Sequence, residues 1–268
     1  MSTAARSDSA PIAAGLSIVL PAYNEAANIR YAVDRGLAAG KRLATEYEVI
    51  VVDDGSRDGT SREVEALARE HYPRVRLVKH EVNLGYGAAL RTGFKHSLYG
   101  LVFFTDSDNQ FDMSELAGFM PMMAGYDIIA GFRVNRCDPL SRSITSWFYN
   151  QLVRLLFRVE ARDVNCAFKL MSREVVQNVP IECDDFFVNT ELLAKATRLN
   201  YRIAERGVRH YPRTAGATSV RLSDVPRTLT TIVTMWGRMR RSTPAPAAGR
   251  GSHELVIPSV SEFIPGSR

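Results

Sequence analysis

The stretch LVFFTDSDNQ, residues 101–110, runs four apolar residues, Leu101 to Phe104, into two carboxylates, Asp106 and Asp108, with Ser107 between them. A short unbroken apolar run bounded by polar residues reads as a strand buried on both faces. Such strands belong to parallel sheets covered by helices on each side. The residues that follow them stand at the carboxyl edge, where ligands of open α/β sheets bind.

The same pattern repeats on either side of this stretch. Strands are expected at 16–20, 47–52, 75–79 and 127–130, and helices at 25–39, 61–71, 87–97 and 114–123. Strands alternating with helices imply right-handed crossovers. The expected fold is therefore α/β, a mostly parallel central sheet with helices on both faces.

The chain has 268 residues, 46% of them hydrophobic, enough to bury one sizeable core and to exclude a disordered or fibrous protein. A formal charge of +5 points to anionic partners, although surplus arginine also serves solubility. No recognised nucleic-acid motif or basic patch with interleaved aromatics occurs, so nucleic acid is not an expected partner. Cys137, Cys166 and Cys183 have no CxxC spacing, which indicates free thiols rather than a zinc site or a disulfide framework. There is no apolar run of about 18 residues and no signal-peptide core. A cytoplasmic protein is expected, with any membrane contact peripheral and at the cytosolic face. Residues 1–15 read as a flexible leader, 16–221 as one domain, 222–241 as an amphipathic helix and 242–268 as a disordered tail.

Four strand ends carry unusual polar groups: PAYNE at 21–25, VDDGS at 52–56, NLGYGAALRTGF at 83–94 and TDSDNQ at 105–110. Each alone has a structural explanation, a turn at Gly55 or a helix cap at Asp106 and Asp108. Together they mark one sheet edge. An Asp-x-Asp pair supplies hard oxygen ligands for Mg2+ or Mn2+, whose shell is completed by water and substrate phosphates, and Gln110 offers a neutral oxygen beside it. Gly85 and Gly87 permit a close backbone approach, but the spacing matches neither GxGxxG nor a P-loop.

These motifs, with GFR at 131–133, resemble in order those of the family 2 glycosyltransferases of GT-A fold, in particular the branch containing the dolichyl-phosphate mannose and glucose synthases. The resemblance covers about residues 16–219. It implies that Pro21, Tyr23, Glu25, Val52 and Asp54 line a nucleotide pocket supported by Asp53. It implies that Asp106, Ser107 and Asp108 meet the diphosphate and metal, with Gln110 where some members add a metal contact. Arg133 and Arg213 match arginines that engage phosphate. DVNCAFK at 163–169 is similar to the stretch beside the sugar, with Ala167 in place of the usual glycine. The helix at 187–196, carrying Glu191 and preceded by Asp184 and Asp185, looks like the border of the acceptor mouth. HYPRTAGATS at 210–219 resembles the loop over the donor, with Ser219 in place of a lysine and Arg221 two residues on.

The implied function is inverting, metal-dependent transfer of a hexose from a UDP- or GDP-linked sugar to a polyprenyl phosphate. Asp108, Arg133 and Arg213 would stabilise the leaving diphosphate. The alternative is a hydroxyl acceptor, which needs a proton acceptor drawn from Asp184, Asp185 and Glu191, because an alcohol is not ionised at neutral pH. A non-catalytic sugar-nucleotide binder is a third reading, opposed by the presence of both Asp106 and Asp108. In the C-terminal segment, Leu222, Val225, Leu229, Ile232, Val233 and Trp236 fall at helical spacing with Arg227, Arg238, Arg240 and Arg241 around them. That composition suits a membrane-surface helix, a core-packed helix or a homodimer contact. The apolar helix at 147–158, with Arg154 and Arg158, carries the same ambiguity.

Overall fold

A computed structural model describes residues 13–134, 140–213 and 225–241. Seven strands form one sheet in the order β3-β2-β1-β4-β6-β5-β7. Its first half is β1 (Ala13–Ala22), β2 (Ala44–Asp53), β3 (Val75–Lys79) and β4 (Leu101–Thr105), all paired in parallel. The second half is β5 (Ile128–Val134), β6 (Phe168–Ser172) and β7 (Ile203–Arg209). β6 lies between β4 and β5 and runs antiparallel to both, while β5 and β7 are parallel. The mostly parallel α/β sheet is as expected, and β6 and β7 extend it.

Helices α1 (Ile29–Leu43), α2 (Thr60–Glu70) and α3 (Tyr86–His96) follow the first three strands. Alternation along β2 shows how they cover the sheet. Val49 and Val51 join the main core with Ile29, Ala32 and Val33 of α1, whereas Ile50 and Val52 cluster with Ala89 of α3. Successive strand side chains point to opposite faces, so α1 and α3 lie on opposite sides. Residues 29, 32, 33, 36, 40 and 43 of α1 are buried at the spacing of one helical stripe. Lys41 and Arg42 in its last turn complement the helix dipole.

The central strand β4 is buried throughout. Phe103 packs edge-on against Phe168 of β6 at 4.7 Å between ring centroids, and Phe168 also meets Phe119 at 5.0 Å. Truncating Phe168 to alanine removes the centre of this cluster, at a cost of about 3–5 kcal/mol. The cluster fastens the start of β6 beside the end of β4, where the Asp-x-Asp stands.

Among the described residues four further helices follow: α4 (Leu140–Phe157), α5 (Arg173–Asn178), α6 (Val188–Arg198) and α7 (Val225–Arg241). Of the amphipathic C-terminal helix, Ile232, Met235 and Met239 pack into the main core, while Val233 is exposed. One face of α7 is thus core-packed. Residues 222–224, the tail at 242–268 and most of the expected leader lie outside the described residues. Residues 13–15, assigned to the leader from sequence, belong to β1.

Instead of one helix at 114–123 there are two 3-10 turns, Met113–Gly118 and Met120–Ala124. Pro121 is the cause. It has no N–H to donate, and its ring would collide with the preceding turn of an α-helix.

Candidate active site

The polar strand ends converge at the carboxyl edge of the sheet's parallel half, and the chain stitches them together. Ser107 Oγ donates to the Pro21 carbonyl at 2.6 Å, tying the end of β4 to that of β1. Asn24, at φ 56°, turns the chain out of β1; its N–H donates to Ser56 Oγ and its side-chain oxygen accepts from the Arg57 N–H. Asn109, at φ 62°, makes the equivalent turn after Asp108. Asparagine tolerates this left-handed conformation better than most residues. The Gln110 side chain donates to the Tyr211 carbonyl at 3.1 Å, joining the Asp-x-Asp loop to the end of β7.

Asp53 is fully buried, accepting from the Ser56 N–H and the Ser61 hydroxyl. Asp54 accepts from the N–H groups of Leu84 and Gly85 at 2.9 and 2.8 Å and sits 2.7 Å from His80 Nδ1. Its carboxylate therefore shapes the loop at 83–85 beside the strand ends. Val52 and Pro21 pair across β1 and β2 beneath it, and Tyr23 projects outward, 43% exposed.

Gly85 and Gly87 do serve a close backbone approach, but the partner is the chain itself. A Cβ on Gly85 would run into the Asp184 carbonyl, and one on Gly87 into that of Cys183. The loop at 182–185 rests on the N-terminus of α3, where the Gly87 N–H donates to the Asp184 carbonyl at 2.8 Å. Glu191 holds this loop from behind. It is buried, and its two oxygens accept from the N–H groups of Glu182 and Cys183 and from Lys195. Asp185 accepts from the Phe187 N–H at the start of α6, and Asp184 pairs with Arg91 at 2.6 Å.

Asp108 is buried and Asp106 partly so. The Asp106 carboxylate accepts from the Tyr86 hydroxyl at 2.8 Å. Burial, and then the neighbouring Asp108 charge, push Asp106 up to about 7, and burial likewise raises Asp108. Arg213 bridges Glu25 and Asp108. Arg133 is clamped by Asp163, which takes its Nε at 2.7 Å and Nη2 at 2.9 Å.

Among the described residues no group of three or more His, Cys, Asp or Glu side chains is placed to hold a metal. Asp106 and Asp108 form a two-carboxylate set whose mutual repulsion under burial calls for added positive charge. A hard divalent cation that takes its remaining ligands from water and phosphate fits that donor set. Ala167 is buried and is not among the residues of positive φ, so alanine is tolerated there. Ser219 and Arg221 lie outside the described residues.

Three residues near Asp106 received no individual role from sequence: Tyr86 and Lys169, which lie inside the motifs quoted above, and Asn189. Lys169 had a signal, a lysine in the middle of the otherwise apolar run AFKLM.

The chain is 35% identical over 231 residues to glycosyltransferase AglD of Haloferax volcanii, an alignment covering 81% of this chain and 36% of that protein. It is 32% identical over 204 residues to the undecaprenyl-phosphate 4-deoxy-4-formamido-L-arabinose transferase of Shewanella sediminis, covering 75% of this chain and 60% of that protein. The chain thus spans from about a third to three-fifths of these relatives' lengths. Among solved structures, glucosyl-3-phosphoglycerate synthase of Mycobacterium tuberculosis, in complex with Mn2+, UDP and glucosyl-3-phosphoglycerate, superposes with a TM-score of 0.64 at 23% identity, over 83% of this chain and 80% of that one. This likeness shows the fold, that of the GT-A glycosyltransferases. A model of glycosyl transferase family 2 matches residues 17–189, and the chain belongs to that family.

Proposed function

We propose that the protein transfers a hexose, with inversion, from a nucleoside-diphosphate sugar to a polyprenyl phosphate. The observation that carries this reading is the placement of Asp106 and Asp108 at the end of β4 with Arg213 facing Asp108. Pro21, Tyr23, Glu25 and Val52, with the loops shaped by Asp53 and Asp54, form the nucleotide end. UDP and GDP donors both suit this reading.

Asp106, Asp108 and the Gln110 oxygen would hold Mg2+ or Mn2+, which when bound offsets charge on the departing diphosphate. Arg213 adds a planar cation suited to phosphate oxygens. Asp163 fixes Arg133 in orientation, so its field at the sugar side is set before substrate arrives. Much of the remaining acceleration comes from holding acceptor oxygen and anomeric carbon in line.

The acceptor assignment draws on the undecaprenyl-phosphate relative. A lipid phosphate is already ionised at neutral pH and needs no proton acceptor from the protein. The hydroxyl-acceptor reading is favoured by the phosphoglycerate-glucosylating structural neighbour. In that case Asp185, with one oxygen engaged by the Phe187 N–H, is a better base than the fully engaged Glu191.

Among the described residues no helix is long and apolar enough to cross a membrane. Peripheral contact at the cytosolic face is supported by α4, whose outer side exposes Trp147 (56%), Phe148 (62%) and Leu155 (79%). At its C-terminal end Arg154, Arg158 and Arg162, with Glu160 and Glu205 between them, line a concavity of about 650 Å3, a net positive patch. Aromatic side chains beside arginines suit an anionic lipid surface. A homodimer through α7 is the alternative for that helix.

The test is a panel of UDP- and GDP-sugars assayed with polyprenyl phosphate, with and without Mn2+ or Mg2+. Metal-dependent transfer that collapses in Asp108→Ala is expected. Undiminished transfer by that variant without metal would sink the mechanism, and turnover only with hydroxyl acceptors would favour the second reading.

A further inference from the structure

Lys169 is fully buried, and among the described residues no carboxylate pairs with it. An ammonium taken out of water needs all its donors satisfied. Here the three acceptors are the Val164 carbonyl at 3.1 Å, the Cys166 carbonyl at 2.5 Å and Asn189 Oδ1 at 2.8 Å. Burial lowers its pKa to about 8.

The chemistry of these partners fixes the orientation of the asparagine. An ammonium only donates, so Asn189 must turn its oxygen to Lys169 and its amide N–H outward. From there the Asn189 side chain acts on Tyr86, favouring negative charge on the phenolic oxygen as a facing N–H does. Tyr86 in turn donates to Asp106 Oδ1 at 2.8 Å. The Tyr86 ring is held by stacking on Phe186, with centroids 5.2 Å apart and planes 18° apart. The result is an ordered series of polar groups from Lys169 through Asn189 and Tyr86 to one oxygen of Asp106, with a hydrogen bond at each end.

The same lysine grips the carbonyls of Val164 and Cys166, which flank the turn after Asp163, and Asp163 clamps Arg133. One buried cation therefore ties the carboxylate on the diphosphate side to the arginine on the sugar side.

We propose that Tyr86, Asn189 and Lys169 are positioning residues that hold Asp106 through this relay, presenting its other oxygen to the cation that accompanies the donor diphosphate. The inference rests on the nucleotide-sugar reading of the site. A merely structural network would support the fold without favouring metal over nucleotide.

The discriminating measurement is Mn2+ binding by electron paramagnetic resonance in the presence of UDP, beside UDP binding without metal, on the full chain. Tyr86→Phe keeps the stacked ring and removes only the final donor. It is expected to weaken Mn2+ binding about tenfold, the loss typical of one hydrogen bond to a charged group. UDP affinity without metal should stay at the wild-type value. Asn189→Ala should act in the same direction, and the double variant should be no weaker than the weaker single, since both cut one series. If Asn189→Ala does not fold, Tyr86→Phe decides alone. Wild-type Mn2+ affinity in Tyr86→Phe, or equal losses of metal and UDP binding, would overturn the relay. A wild-type chain that binds neither Mn2+ nor UDP would instead remove the functional reading, and the relay with it.

Discussion

Arg213 Nη1 lies 3.6 Å from Asp108 Oδ2 while the other terminal nitrogen of the same guanidinium donates to Glu25. The arginine comes from the segment after β7, Asp108 from the loop after β4 and Glu25 from the loop after β1. One side chain thus spans three of the elements that meet at this sheet edge, and its fork geometry lets it contact two carboxylates at once.

The expected consequence of Arg213→Ala is a fall in kcat/KM of about a hundredfold, the scale for losing one preorganised donor to developing negative charge. Arg213→Lys should recover only a small part, because an ammonium cannot span Glu25 and Asp108 with the same planar fork. Steady-state kinetics on both variants check this. Wild-type kinetics in Arg213→Lys would mean that a point charge suffices.

Glu191 is expected to act as a brace. Its carboxylate holds the N–H groups of residues 182 and 183, and that loop lies on Gly85 and Gly87. Glu191→Ala removes the acceptor of these donors and the buried carboxylate partner of Lys195, which keeps the Pro180 carbonyl and Glu182, and should cost about 3–5 kcal/mol of stability. Glu191→Gln should cost less, about 1–3 kcal/mol, and leave the shape of the pH–rate profile intact. Denaturant melts and pH profiles together decide the point, since loss of the acidic limb in Glu191→Gln would identify a general base.

Much of this site is legible in sequence because its signals are local. The run Leu101 to Thr105 ends β4 at the residue expected, and the carboxylates follow at once. Lys169 and Asn189 are different. Lys169 falls within the stretch likened to the one beside the sugar, but its burial depends on carbonyls at 164 and 166 and on an asparagine 20 residues away. Asp54 likewise looks like a ligand-facing group, but its partners are N–H groups 30 and 31 residues on and the ring of His80. Periodicity reports which face is apolar; it carries no information on which distant donor closes on which acceptor. Pro121 is the reverse case, a local signal sufficient to break the helix expected at 114–123.

The exposed aromatics of α4 lead to a prediction about location. Trp147 and Phe148 pack edge to face at 4.9 Å on the outer side of the helix. Replacing both with serine should leave the melting temperature within a few degrees, because neither ring contributes to the core. Co-sedimentation with vesicles containing anionic lipid should fall severalfold, as apolar area and charge both drive such binding. High salt should weaken the wild type in the same assay by screening Arg154, Arg158 and Arg162. Unchanged sedimentation of the double variant would remove α4 from any membrane contact.

Lys169 makes the stability of the fold depend on pH in a direction opposite to that of a paired surface lysine. Burial lowers its pKa from the ordinary 10.5 to about 8, so the folded protein binds this proton less readily than the unfolded chain. Below pH about 8 the ammonium is charged in both states, and the full penalty of burying it is present. Between about 8 and 10.5 the unfolded chain holds more protons than the folded one, and stability rises with pH by linkage. Other titrating groups, including tyrosines raised by burial, act in the same range and are removed by comparison with Lys169→Met, which keeps a long apolar side chain at the position. The unfolding free energy of the wild type, relative to that of Lys169→Met, should therefore increase between about pH 7.5 and about pH 9.5 in urea titrations. A difference that is flat across this interval would show that the three acceptors around Lys169 offset its desolvation completely, and that its charge is retained in the fold to well above pH 8.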